Sequence, residues 1–337
     1  MECKRIAVDT SKAVFTLHGV DEQGRPVLRQ NLTRARFEKA LSKMPRTEVV
    51  LEACGSSHHW GRFLQNLGHT VQLIPPQYVK PFVKRGKNDR NDAKAICEAA
   101  SRPTMRFVPV KSADTQAEAM DLSARDLLVR QRTQLVNAVR GHAAEFGIIA
   151  AKGISQIGPL LEKIVQGDMP QAAKETLSQL GRIIEQLEEQ MAEIDQRLTG
   201  RHKSNPVSQR LAAIPGIGPV TALTLAVKVD AGQFASARHF AAWLGLTPKE
   251  RSTGGRQRLG GISRAGNERL RQLLVVGAMA VIRHAKPESK TANPWLLRLL
   301  ERRPRKLAAV ALANKMARTV WAMMANETAY RRMPQAT

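Results

Sequence analysis

From Leu177 to Leu198 apolar residues recur in strict alternation of three and four: Leu177, Leu180, Ile184, Leu187, Met191, Ile194 and Leu198. Strand side chains alternate every two residues, so this spacing fits only a long helix with one apolar seam. Glu and Gln surround the seam, and the stretch from about 112 to 200 is poor in Gly and Pro. A weaker seam runs through Leu128, Leu135 and Phe146. A central long-helix, coiled-coil region is therefore expected over 111–205. Such a seam has to be covered by a second helix, from this chain or from another. The repeat leaves that choice open, and we favour an inter-subunit contribution.

The flanking segments read differently. Over 4–110, β-branched runs alternate with amphipathic stretches, the pattern of an α/β sheet domain. A first strand at 4–9 is expected to continue through Phe15, Thr16 and Leu17, and Asp21–Gly24 then turns the chain toward a strand near 27–32. Helix is expected from Arg36 to Met44, strand from Thr47 to Leu51, helix from Ser57 to Leu67 and strand from Thr70 to Ile74. A helix opening at Asp89 and running to about Ala100 completes a ribonuclease H-like layout over 1–110. The remainder, 206–330, reads as mainly helical, with helices at about Asn267–Arg283 and Trp295–Ala325. The Gly-, Arg- and Ser-rich stretch Ser252–Arg264 reads as a loop, and the tail after Asn326 as disordered. Ala213–Val220 reads as the turn of a helix-hairpin-helix, in which Gly216 and Gly218 let the backbone approach a phosphate.

Four acids stand out against this background. Asp9 lies in the apolar first strand, where a carboxylate without a partner is costly. Glu52 ends the run Val49-Val50-Leu51, and Asp89 and Asp92 stand three apart at a helix start. Acids borne on two strand ends and one helix start can converge at one edge of a sheet. Converging carboxylates repel unless cations separate them, so the set implies Mg²⁺ or Mn²⁺. Two ions roughly 4 Å apart would stabilise the entering and leaving oxygens of a phosphodiester displacement.

The rest of the chain carries the opposite charge. The 337 residues hold 53 Lys+Arg and 29 Asp+Glu, a formal net charge of +24, with a pI near 10.8. Residues 243–337 hold 19 of the basic and 5 of the acidic residues, so 14 of the net charges lie there. Nucleic acid is the expected partner, gripped late in the chain. Lys249, Arg251, Arg256, Arg258 and Arg264 are placed to hold phosphate. They flank Ser252 and Thr253, hydroxyls that need a base or metal to become nucleophiles. Aromatic residues make up only 4%, which argues against reading single strands by base stacking. The three cysteines, Cys3, Cys54 and Cys97, are isolated, which fits a reducing cytosol and excludes a cysteine zinc cluster. The adjacent His58 and His59 complete no metal-ligand set. No apolar signal segment is seen, and the longest apolar run, Leu273–Ile282, is too short to span a bilayer. No membrane attachment is expected.

In combination and order these motifs resemble the DEDD-type transposases of bacterial insertion sequences, a family that includes Piv-type DNA invertases and RNA-guided bridge recombinases. The resemblance covers nearly the whole chain. Val8-Asp9-Thr10-Ser11-Lys12, Leu51-Glu52-Ala53-Cys54-Gly55 and Asn88-Asp89-Arg90-Asn91-Asp92-Ala93 resemble the carboxylate set of a RuvC-like domain. Ile214–Gly218, Leu244–Pro248, Ser252–Gly255 and Ile262–Asn267 resemble the C-terminal transposase domain. The resemblance implies DNA recombination through a transient serine–DNA phosphoester, assisted by Mg²⁺ at the four carboxylates. It also implies a dimer or tetramer in which the acids of one subunit join the serine of another. A noncoding guide RNA would choose donor and target DNA, and the setting would be the bacterial cytoplasm, at the nucleoid when acting. Some relatives place the nucleophile one residue further from the Leu-Thr-Pro block, which would fall on Thr253; we choose Ser252.

Other classes predict different things. A metal-dependent junction nuclease would use the same acids without Ser252 or Thr253. Sugar-kinase and actin-like folds share an Asp-Thr-Ser first strand but need a second Gly-rich phosphate loop that is not found. A non-catalytic nucleic-acid-binding protein would have no use for four converging acids.

Overall fold

The computed structural model describes residues 3–84, 89–285 and 293–331, and of Asp89 only the backbone. The chain divides into two compact units, residues 1–116 and 117–337.

The first unit is built on a five-stranded sheet. Its strands are β1 (Arg5–Thr10), β2 (Val14–Val20), β3 (Pro26–Thr33), β4 (Glu48–Glu52) and β5 (Thr70–Ile74), in the order β3-β2-β1-β4-β5. β1 pairs antiparallel with β2 and parallel with β4. The expected single strand through Leu17 is therefore two. The chain reverses at Ser11–Ala13, where the Ser11 hydroxyl accepts the Val14 N–H at 3.0 Å. The helices are α1 (Arg34–Leu41), α2 (Ser57–Asn66), the one-turn α3 (Pro76–Val79) and α4 (Asp89–Ala100). Period-two alternation sorts the sheet into two faces. Ile6, Val8, Val49 and Leu51 pack with Phe15, Phe37, Trp60 and Leu64 on one side. The rings of Phe15, Phe37 and Trp60 meet edge-on with centroids 4.9–5.3 Å apart. Ala7, Val50 and Ile74 on the other side meet Ala95, Ile96, Ala99 and Ala100 of α4.

The second unit begins within α5 (Ala113–Glu145), followed by α6 (Ile157–Gln166) and α7 (Gln171–Ser204). Ion pairs join Asp121 to Arg197 and Arg201, Arg125 to Asp195, and Arg132 to Glu188. Partner numbers fall along α7 as they rise along α5, so the two helices run antiparallel. Leu177, Ile184, Met191, Ile194 and Leu198 of the seam are buried, whereas Leu180 and Leu187 are half-buried. Leu177 and Ile184 pack on Val136 and Val139 of α5 and on Leu160 and Ile164 of α6. At its two ends the seam is thus covered by helices of the same chain. Of the weaker seam, Leu128 and Leu135 are partly buried against the clusters that hold Leu122, Val136, Val139 and Ala143, whereas Phe146 is exposed.

The basic segment continues through α8 (Pro206–Ala212), α9 (Pro219–Lys228) and α10 (Ala237–Trp243). Strands β6 (Pro248–Glu250) and β7 (Leu259–Ile262) then precede α11 (Glu268–Arg283), α12 (Pro294–Arg302) and α13 (Arg305–Ala325). Leu223 and Val227 of α9 share a cluster with Leu122, Ile194 and Leu198, so no break in packing falls near residue 205. Two expectations are corrected. The helix expected from Trp295 to Ala325 is two, interrupted at Pro304, which has no backbone N–H to continue the ladder. The stretch from Ser252 supplies the turn and second strand of a β-hairpin that β6 begins, because cross-strand pairing rather than an apolar period holds it. Residues 332–337 of the expected disordered tail lie outside the described residues.

Candidate active site

Parallel pairing sets the C-terminal ends of β1 and β4 side by side, with Val8 opposite Leu51. Asp9 and Glu52 follow those residues and continue the face of Ala7 and Val50, toward α4. Asp92 stands on α4 one turn before Ala95 and Ile96, which pack on that face. The Glu52 carboxyl is held above the usual carboxylate range, chiefly by burial and then by the negative charges of Asp9 and Asp92. Acids from two other elements are therefore close enough to Glu52 to oppose its ionisation. Among the described residues no three acid, His or Cys side chains stand ready at metal-binding distance. Asp89 opens α4 three residues before Asp92, and its side chain lies outside the described residues. An all-oxygen set that raises the proton affinity of Glu52 fits a hard divalent cation, which would relieve the repulsion. Cys54 lies beside this edge, its sulfur 3.3 Å from the Thr10 hydroxyl.

Ser252 occupies the hairpin. Thr253 and Arg256 exchange backbone hydrogen bonds at 3.3 and 3.0 Å across Gly254-Gly255. Both glycines have positive φ, 55° and 74°, as a tight type I′ hairpin turn requires. The Ser252 hydroxyl donates to Glu250 Oε1 at 2.7 Å, and its Oγ accepts the Arg258 backbone N–H at 3.2 Å. Among the described residues the Thr253 hydroxyl has no hydrogen-bond partner. Lys249, Arg251, Arg256 and Arg258 are exposed on the same hairpin.

A backbone clasp seats the hairpin. The Ser263 N–H donates to Thr247 O at 2.8 Å, and the Arg264 N–H to Gly245 O at 3.1 Å. Arg264 is exposed and adopts φ 55°, so the clasp holds a non-glycine residue in the left-handed region. The nearly buried Arg271 guanidinium donates to Leu244 O and Ala265 O at 2.9 and 3.0 Å, and Asn314 donates to Leu246 O at 3.1 Å. Glu250, Arg271 and Asn314 escaped the sequence reading. Glu250 carried no legible signal, since residues two apart share a side only in an extended segment and the sequence marks none there. At the α8–α9 turn, Gly216 has φ 88° and its carbonyl packs against Gly277 of α11. Its missing side chain thus serves helix packing, whereas Gly218 caps α9 in the open.

Two family models match the chain. A DEDD-type transposase model named for IS110 covers residues 6–147, and the transposase IS116/IS110/IS902 family covers residues 208–293. "Putative transposase y4pF/y4sB" of Sinorhizobium fredii is 51% identical over 97% of this chain and 85% of its own length. "Probable family 20 transposase" of Pseudomonas aeruginosa is 46% identical over 98% of this chain and 99% of its own length. "Transposase for insertion sequence element IS1111A" of Coxiella burnetii is 39% identical over 98% of this chain and 92% of its own length. The first model takes in all four acids and the second takes in the Ser252 hairpin. The protein therefore belongs to the IS116/IS110/IS902 family of transposases.

Proposed function

We propose that this protein, as the transposase of an insertion sequence, cuts and rejoins DNA through a transient phosphoester on Ser252. The crowding of Glu52 by Asp9 and Asp92 carries the reading, since a bound cation would relieve it. The strand order β3-β2-β1-β4-β5, antiparallel on one side of β1 and parallel on the other, supports an RNase H-like, RuvC-like domain over 1–110. The antiparallel α5–α7 pair supports a coiled-coil region over 111–205, and the α8–α9 turn a helix-hairpin-helix within 206–330.

Asp9, Glu52, Asp89 and Asp92 would hold Mg²⁺ or Mn²⁺. Bound there, the cation would offset charge building on the phosphate oxygens. Arg251, Arg256 and Arg258 position the phosphate beside the hydroxyl. The Arg258 N–H favours the anionic form of Ser252 Oγ as it attacks. Kinship with Piv-type invertases and bridge recombinases belongs to the same proposal. So do a dimer or tetramer that pairs one subunit's serine with another's acids, and a noncoding guide RNA. A net charge of +24 supports binding of two nucleic acids, with sequence choice left to base pairing.

The test uses the full-length protein, divalent metal, a plasmid carrying the intact element and RNA transcribed from its noncoding flanks. Wild type should yield a protein–DNA adduct and rejoined DNA, and Ser252→Ala neither. Cutting by Ser252→Ala at the wild-type rate would replace this reading with the junction nuclease.

A further inference from the structure

We infer that Glu250 is the base that takes the proton of Ser252; this rests on Ser252 being the nucleophile. A serine hydroxyl is a weak nucleophile until a neighbour accepts its proton. Ser252 has such a neighbour within its own hairpin, because Glu250 ends β6 and residues two apart on an extended segment share a side. The hydroxyl points its hydrogen at Glu250 Oε1, 2.7 Å away, inside the range for proton transfer. The Arg258 N–H donates to Ser252 Oγ at 3.2 Å, leaving one lone pair of that oxygen for attack. The pairing across Gly254-Gly255 fixes all three groups, since Arg258 accepts the Arg251 N–H at 2.9 Å.

The charge of the hairpin strengthens the case. Lys249, Arg251, Arg256 and Arg258 surround Glu250, the one acid between Lys249 and Ile262. A surface built only to grip phosphate is weakened by a carboxylate in its midst. One that must both gather phosphate and deprotonate a hydroxyl needs it there.

The step balances as follows. The Ser252 O–H bond breaks and its proton passes to Glu250 Oε1, while the Oγ electron pair forms a bond to phosphorus. The bond from phosphorus to the departing sugar oxygen breaks, and that oxygen keeps the pair and takes a proton from solvent. In the rejoining step a DNA hydroxyl attacks the phosphorus of the phosphoserine and gives its proton to solvent, the P–Oγ bond breaks, and Ser252 Oγ leaves with the proton returned by Glu250. One carboxylate therefore serves both directions.

The experiment measures adduct formation by full-length wild type, Glu250→Gln and Glu250→Asp, with metal, the plasmid-borne element and RNA from its flanks. Gln still accepts the hydroxyl hydrogen bond but takes no proton. Glu250→Gln should therefore slow the adduct on the order of 10²-fold. Its melting temperature and affinity for the same DNA should not fall, and Glu250→Asp should retain more activity than Gln. A Glu250→Gln rate within about threefold of wild type would overturn the proposal. So would equal losses in Gln and Asp, or a loss that tracks melting temperature. A wild-type adduct absent from Ser252 would sink the underlying reading instead, whatever the Glu250 variants do.

Discussion

Glu52 shows how burial and neighbouring charge can set a single residue against the fold. Its carboxyl sits above the usual range because burial and the charges of Asp9 and Asp92 disfavour ionisation. An acid whose folded pKa is raised binds its proton more tightly folded than unfolded. Its stabilising contribution is present below the unfolded value, about 4.3, and is lost as pH rises through the folded one. At neutral pH without divalent metal, Glu52 is thus a net burden on the fold. Glu52→Gln should raise the melting temperature in chelator by about a degree or two. Added Mg²⁺ should stabilise the wild type and leave the variant nearly unmoved. A variant that melts lower in chelator, or gains as much from Mg²⁺, would show that the repulsion is not relieved by metal. Asp9 was legible in the sequence because a charged side chain in an apolar strand demands a reason. Glu250 was not, because its meaning depends on the two-residue turn at Gly254-Gly255 that puts Arg258 across from Ser252.

At the scale of elements, the close approach of α11 to the α8–α9 turn is the most demanding contact. A Cβ on Gly277 would fall 1.9 Å from the Gly216 carbonyl oxygen, where backbone cannot yield. Gly277→Ala should cost about 2–3 kcal/mol and lower the melting temperature by about 5–10 °C. Gly141→Ala on α5, with nothing within 4 Å of the added carbon, should be neutral or slightly stabilising. Equal melting of the two variants would contradict the packing. The strands Thr70–Ile74 and the helix ending at Ala100 were legible because period and punctuation agree there. The hairpin at Ser252 was missed because its strands are only three and four residues long and mostly exposed, so no alternation marks them. The α7 seam was legible as a helix face, but its cover was not: α5 and α6 meet it from positions that no local repeat encodes.

For the whole molecule, the uneven charge makes a quantitative expectation. Nucleic-acid affinity should fall steeply with salt, and replacing Arg251, Arg256 and Arg258 by Gln should reduce the slope of log K against log salt by about 2–3. An unchanged slope would remove the hairpin from the phosphate contacts. Among the described residues no helix is long and apolar enough to cross a membrane. The acids lie within residues 1–116 and the hydroxyl within 117–337, and a sequence shows such residues without showing that they act on one phosphodiester. The most direct test is therefore chemical. The adduct formed by wild type on element DNA is trapped and digested, and the peptide bearing the nucleotide is sequenced by mass spectrometry. We predict modification at Ser252, and none when Glu52 is replaced by Gln. Modification at Thr253, or an undiminished adduct in Glu52→Gln, would contradict the account.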